Sequence, residues 1–238
     1  MIQQLPMVYS NQSNYTLREI FTFQCRVFRR IIPHLLIVDC TAHTLFVLLF
    51  VKVIYYENFF YLSVVCYDTK SDGIIIADKR WDSPLLNSDS FMFLIDTFKD
   101  YQNGYVFGTN AAGIEYDAQI TGGGEQSSLM ARFSVGSGGG YNVNWDAAWQ
   151  VNTKIGDFGW SAEFAIPFKT LRYKEDGDQS WGINFQRRVA WKNETSFLTP
   201  IPASLRASGS LQFSSAATLV GLETPSSSIR FEVKPYGI

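Results

Sequence analysis

The stretch from Asn87 to Ile120, NSDSFMFLIDTFKDYQNGYVFGTNAAGIEYDAQI, decides the fold. Phe91, Phe93 and Ile95 fall on one face, followed by Tyr105, Phe107 and Thr109, then by Ile114, Tyr116 and Ala118. A period of two carried by aromatic and β-branched residues predicts three half-buried antiparallel strands. Asp96-Thr97-Phe98-Lys99-Asp100 and Asn110-Ala111-Ala112-Gly113 separate them with residues suited to turns.

The same pattern extends in both directions. Residues 51 to 68 form a predicted hairpin turning at Glu57-Asn58, and residues 69 to 88 form a loop with one short helical turn. Trp149, Val151 and Thr153 alternate with Gln150, Asn152 and Lys154 before a turn at Gly156-Asp157-Phe158-Gly159. Trp160, Ala162, Phe164 and Ile166 then share a face, and Pro167, which cannot donate to a ladder, ends that strand. Residues 169 to 173 suggest a helical turn. Trp181 to Trp191 reads as a further strand with Trp181, Ile183, Phe185 and Val189 on its apolar side. Short strands are expected near residues 129 to 133, 210 to 213 and 217 to 222. Closely spaced strands without a long amphipathic helix predict an all-β protein, an antiparallel β-sandwich.

Composition narrows the function. The 238 residues carry 20 basic and 22 acidic side chains, a net charge of −2, which leaves no electrostatic footprint for nucleic acid. The three cysteines, Cys25, Cys40 and Cys66, are odd in number and form no CxxC pair, so neither a disulfide framework nor a zinc site is expected. Both histidines, His34 and His43, lie before residue 51, which argues against a Ser-His-Asp group in the main body. The glycine clusters at 122–124 and 138–140 match no phosphate-binding pattern. No secretory leader is read at Met1, and the longest clean apolar run, Leu45 to Val51, is far shorter than the ~18 residues of a spanning helix.

Residues 17 to 50 show no consistent strand or helix period. They are expected to be an insertion (a helix pair or a mobile-element remnant) or sequence that does not fold, with residues 1 to 16 as a leading part of the module. The main body is placed at 51–222. Residues 223 to 238 read as a linker, followed by an alternating segment, Arg230 to Tyr236, that is expected to start a second domain.

Residues 51 to 222 resemble a carbohydrate-binding module of family nine. The marks are Asp89 to Asp96 as D-S-x-x-x-x-x-D, Trp160 to Phe168 (WSAEFAIPF) and Trp181 to Arg188 (WGINFQRR). The Asp-Thr-Phe-x-Asp piece and Glu232-Val233-Lys234-Pro235-Tyr236 are similar to Gram-negative surface proteins in which this module precedes an outer-membrane barrel. The resemblance implies a non-catalytic glycan-binding module of the cell envelope, in the periplasm or outer membrane, with a role in polysaccharide binding or catabolism. Two alternatives remain: a structural or interaction domain for the barrel, and an accessory module of a glycoside hydrolase.

Sugar binding needs aromatic faces to stack on C–H faces and polar groups to meet hydroxyls. Trp81 with its neighbour Arg80, and Trp191, Arg187 and Asn184, are the candidates. Many sugar-binding members of the family carry a glutamate where Met92 stands, and a thioether cannot replace it as an acceptor. Asp89, Asp96, Asp100 and Asp117 cluster in sequence, and the resemblance implies structural calcium on such carboxylates. A hydrolytic pair would need Glu163 with Glu115 or Asp117 across a cleft; no autonomous catalytic site is expected.

Overall fold

The computed structural model describes residues 24–29, 36–44, 47–56, 58–124, 140–174, 179–201 and 211–225, with side chains from Leu49 onward. Among the described residues, thirteen strands form two antiparallel sheets. The first sheet contains β1 (Gln24–Arg29), β2 (Leu36–Thr44), β3 (Val47–Tyr56), β4 (Phe59–Tyr67), β9 (Gln150–Gly156) and β10 (Gly159–Pro167), in the order β1-β2-β3-β4-β10-β9. The second contains β5 (Ser90–Asp96), β6 (Gly104–Asn110), β7 (Tyr116–Ile120), β8 (Tyr141–Asn142), β11 (Gln179–Val189), β12 (Glu194–Phe197) and β13 (Ala217–Leu222). Its order is β12-β11-β5-β6-β7-β8, with β13 also pairing β11. The antiparallel β-sandwich expected from the alternation is therefore present. No helix among the described residues is long and apolar enough to cross a membrane.

Alternation explains the interior. Val51, Val53, Phe60, Leu62, Val64, Trp160, Ala162, Phe164 and Ile166 point inward from the first sheet, and Phe91, Phe93, Ile95, Phe107, Trp181, Ile183 and Phe185 meet them from the second. Phe164 lies at the centre, edge-on to Phe93 at 5.1 Å between centroids and stacked on Trp149 at 5.7 Å. Aromatic pairs at these separations add to the stability that burial of their area provides.

Two tight turns set the first sheet's register. Tyr56 stands opposite Phe59, which confirms a two-residue connection at 57–58. Gly156 stands opposite Gly159, closing β9 onto β10. Gly159 has φ +121°, and a Cβ there would lie 2.2 Å from the Cys66 carbonyl oxygen, so only glycine fits this strand start.

The second sheet departs from the half-buried expectation. All seven residues of β6 are buried. Its inner face joins the sandwich core, and its outer face lies under a second apolar cluster of Leu85, Leu94, Val106, Tyr116, Ala118, Ile120, Leu211 and Phe213. Segments outside the sheet cover that face. The expected strand at 210–213 is not formed: Phe213–Ser215 is a 3-10 turn whose Phe213 plugs the cluster. The expected strand at 129–133 lies outside the described residues. β12 was not anticipated, and the helical turn expected at 169–173 sits slightly earlier, at Phe168–Thr170. The loop 69–88 holds two such turns, Ser71–Gly73 and Leu85–Asn87, where one was expected.

β1 and β2 fall inside the tract 17–50, and β3 runs across the boundary at residue 51. β2 pairs along β3 from Val38 opposite Val53 to Thr44 opposite Val47, extending the first sheet by strand addition. The segment expected to open a barrel, 230–236, lies outside the described residues.

Candidate functional site

The segment between β4 and β5 is a strap across one end of the second sheet. It starts where Asp68 Oδ2 accepts the indole N–H of Trp191 at 3.1 Å, just beyond β11. Ile75 N–H then donates to Asp89 Oδ2 at 2.7 Å, and Ala77 N–H to Ser88 Oγ at 3.0 Å, at the head of β5. Asn110 Nδ2, at the end of β6, donates to the Asp78 carbonyl at 2.8 Å. Finally Asp82 N–H donates to the Glu115 carbonyl at 3.1 Å, beside β7. The strap thus touches β11, β5, β6 and β7 in turn.

At its far end the strap presents Trp81, which is 78% exposed. Arg80 forks onto Asp78, with Nη2 to Oδ2 at 2.6 Å, and its side-chain hydrogen bonds hold the Asp78 carboxyl below the usual carboxylate range. Asp82 adopts φ +55°, a left-handed turn residue that points the chain back toward the sheet. The indole is therefore displayed on a tethered loop, not packed over the sandwich edge.

Trp191 is 37% exposed in the β11–β12 turn. That turn is closed by Asn193 N–H donating to the Ala190 carbonyl at 3.0 Å, with Asn193 at φ +51°. Arg188 Nη2 donates to Asn193 Oδ1 at 2.9 Å and Nη1 to Thr195 Oγ1 at 3.3 Å. Trp81 and Trp191 share one end of the sandwich, over strands three interstrand spacings apart, or about 14 Å. They do not grip one pyranose from both sides.

The other predicted sugar contacts are withdrawn from the surface. Arg187 is 1% exposed; it lies on the inner face of β11 and its Nη2 donates to the Tyr67 carbonyl at 2.6 Å, joining the two sheets. Asn184 is 2% exposed, and its Oδ1 accepts from Phe185 N–H and Thr199 N–H. Its Nδ2 and the Oε1 of Gln186 are buried without a hydrogen-bond partner among the described residues. Both residues line a small cavity with Met92, Leu94, Val106 and Leu211 on the outer face of the second sheet. Met92 packs against the second apolar cluster, so a thioether suits its surroundings.

The four aspartates do not assemble. Asp96 caps its own turn, accepting from Phe98, Asp100 and Tyr101 N–H, and burial pushes its carboxyl up. Asp100 accepts from Gln102 and Asn103 in the next turn. Asp89 anchors the strap, and Asp117 faces the core, where Oδ2 accepts Trp149 Nε1–H at 2.7 Å. A calcium ion needs six to eight oxygens, and among the described residues no three His, Cys, Asp or Glu side chains are arranged to hold a metal. The predicted ligand set does not fit calcium. One oxygen each of Asp89 and Asp117 is buried without a partner, but they belong to separate places in the sheet.

A group of acids that sequence reasoning did not assemble lies at the end of the strap, where Asp82 N–H meets the Glu115 carbonyl. Burial first, then the charges of Asp82 and Asp146, push the Asp117 carboxyl up to about 7. Asp82 and Glu115 are raised as well, by burial and by Asp146. Glu163 is far from this group in the fold: it projects from β10 in the first sheet, opposite Ser63 and Asn152. The two candidate carboxylates thus stand on different sheets and line no common cleft.

The class of fold defined by these two sheets is that of family nine carbohydrate-binding modules. The chain is similar to a module of that family from Caldicellulosiruptor kristjanssonii solved in complex with cellotriose, at 14% identity and a TM-score of 0.50, covering 92% of this chain and 93% of that one. The same holds for that organism's module in complex with glucose, at 14% identity, a TM-score of 0.50, and 93% and 95% coverage. No protein-family model and no curated protein matches the chain.

Proposed function

We propose that this protein is a non-catalytic module that binds a glycan chain across the strap end of its second sheet. The observation that carries the reading is Trp81, a 78% exposed indole held on a tethered loop. A fixed, exposed indole offers a flat apolar face with a polar edge, which is what the C–H face of a sugar stacks on. Trp191, pinned through its N–H to Asp68, supplies a second face on the same end. The likeness in fold to modules in complex with cellotriose and glucose supports the same reading. An envelope setting beside an outer-membrane barrel, with a role in polysaccharide catabolism, is supported by the Asp-Thr-Phe-x-Asp and Glu232–Tyr236 motifs.

The test is a glycan array probed with the full chain, followed by calorimetry on the oligosaccharides retained. Binding that is lost on Trp81→Ala, with the unfolding midpoint unchanged, is the expected result. Absence of binding to every glycan, or binding by the Trp81→Ala and Trp191→Ala variants as tight as that of the unaltered protein, would overturn the proposal.

A further inference from the structure

The last residues of the strap are seated on side chains of their own charge. Asp82 comes from the strap, Glu115 and Asp117 from the start of β7, and Asp146 from the segment that leads into β9. Asp146 acts on the other three, and Asp82 acts on both Glu115 and Asp117. The charged groups that act on Asp117, Asp82 and Asp146, are both acids. Arg80, the cation nearest to Asp82 in the sequence, is forked onto Asp78. From β6 the residue opposite Asp117 is Phe107, which carries no charge, and from the β9 side Trp149 donates its indole N–H to Oδ2. The other oxygen, Oδ1, is buried without a hydrogen-bond partner among the described residues.

Against this charge the strap end is held lightly. Asp82 N–H donates to the Glu115 carbonyl at 3.1 Å, and the Asp82 carboxyl faces the Asp117 backbone N–H. Asp82 also stands at φ +55°, a conformation that persists in a non-glycine residue only while its surroundings enforce it. Ser83 and Leu85, directly beyond, are buried, whereas Trp81, directly before, is exposed. The seat of Asp82 is therefore the point where the displayed indole loop joins the packed body.

We infer that this group of acids is a proton-operated clasp on the Trp81 loop: a proton on Asp117 lets Asp82 stay seated on β7, and loss of that proton frees the loop. Burial, followed by the charges of Asp82 and Asp146, pushes the Asp117 carboxyl up to about 7. Ionising it adds a negative charge beside those already present, so the clasp is closed in acid and opens as pH rises past neutrality. A ligand that needs the indole in its fixed position then binds with an affinity reduced by the fraction of loop still closed. The effect on binding rests on the glycan-binding reading above; the clasp itself does not.

The experiment is hydrogen–deuterium exchange of the full chain at pH 5.5 and pH 8.5, read by mass spectrometry and corrected for the intrinsic exchange rate. Protection in the fragment containing Asp82 should fall roughly tenfold at the higher pH, while Ile75 and Ala77, bonded to Asp89 and Ser88, keep theirs. Asp117→Asn cannot gain the charge and should show equal protection at both pH values. Asp146→Asn, a change at an exposed residue, should shrink the step without disturbing the fold. Calorimetry with cellotriose should show weaker binding at pH 8.5 than at pH 5.5, and no such difference in Asp117→Asn. Equal protection at Asp82 at both pH values, or an equal fall in Asp117→Asn, overturns the clasp. Absence of cellotriose binding at either pH counts against the glycan-binding reading and leaves the exchange result to decide the clasp. Asp146→Asn probes the same charges from the surface, so an Asp117→Asn chain that misfolds does not remove the test.

Discussion

Trp149 donates its indole N–H to Asp117 at 2.7 Å inside the sandwich, where the carboxylate stands opposite Phe107 on the inner face of the second sheet. A carboxyl group so enclosed, with Asp82 and Asp146 nearby, holds its proton up to about pH 7. In the unfolded chain the same group ionises near 4. Between those values the folded protein binds a proton that the unfolded chain has released, so stability is full in acid, declines as pH rises, and levels off above about 7. Urea unfolding at pH 5 and pH 8 should show a loss on the order of 2 kcal/mol at the higher pH. Asp117→Asn keeps an acceptor for Trp149 and should flatten the profile. Identical profiles for the two proteins would refute the assignment.

Arg187 makes a different kind of interior contact. Its guanidinium reaches from β11 to the Tyr67 carbonyl of the other sheet at 2.6 Å. Arg187→Ala is expected to cost about 3 kcal/mol, since it leaves a buried acceptor and a void where a charge was satisfied. Equilibrium denaturation measures it, and a cost below that of an exposed lysine substitution would show that the contact is dispensable.

Two aromatic truncations should separate core from surface. Phe164→Ala empties the centre of a ring cluster formed with Phe91, Phe93 and Trp149 and should cost about 4 kcal/mol. Trp81→Ala removes a larger side chain yet should change stability by less than about 0.5 kcal/mol. Comparable losses in the two variants would mean that Trp81 packs in solution.

Metal removal gives a further check. Asp96 and Asp100 already accept two or more backbone N–H groups each. Thermal unfolding should therefore be the same with EDTA as with millimolar calcium. A midpoint raised by several degrees in calcium would restore a cation to these turns.

Much of the architecture could be read from alternation. The strands β5 to β7 and the hairpin of β9 and β10 carry aromatic or branched residues at every second position, and each formed where it was expected. The same parity held the correct location of Arg187, which shares its phase with Trp181, Ile183, Phe185 and Val189 and therefore points inward. The family-like motif drew it outward as a sugar ligand. Asp117 deceived in the opposite way. Ile114, Tyr116 and Ala118 read as the apolar face, but both faces of the second sheet are covered, and the acid took the side toward the core. Leu211 and Phe213 cover that outer face from a distant part of the chain, a relation that local periodicity does not encode. Trp81 and Trp191 were separable from core tryptophans because both sit beside polar residues at element ends.

The strap is held through its own backbone: Ile75 and Ala77 give N–H groups, Asp78 gives a carbonyl, and Asp82 gives an N–H. The side chains that receive or offer these bonds, Asp89, Ser88 and Asn110, sit at or beside the strand ends. Apart from Ile74 and Ile76, whose side chains pack against the core, side-chain identity along residues 69 to 82 is thereby largely uncoupled from the sandwich. Evolution, or a designer grafting loops, can exchange the residues on display without renegotiating the scaffold, so recognition in this protein is free to diverge faster than its architecture.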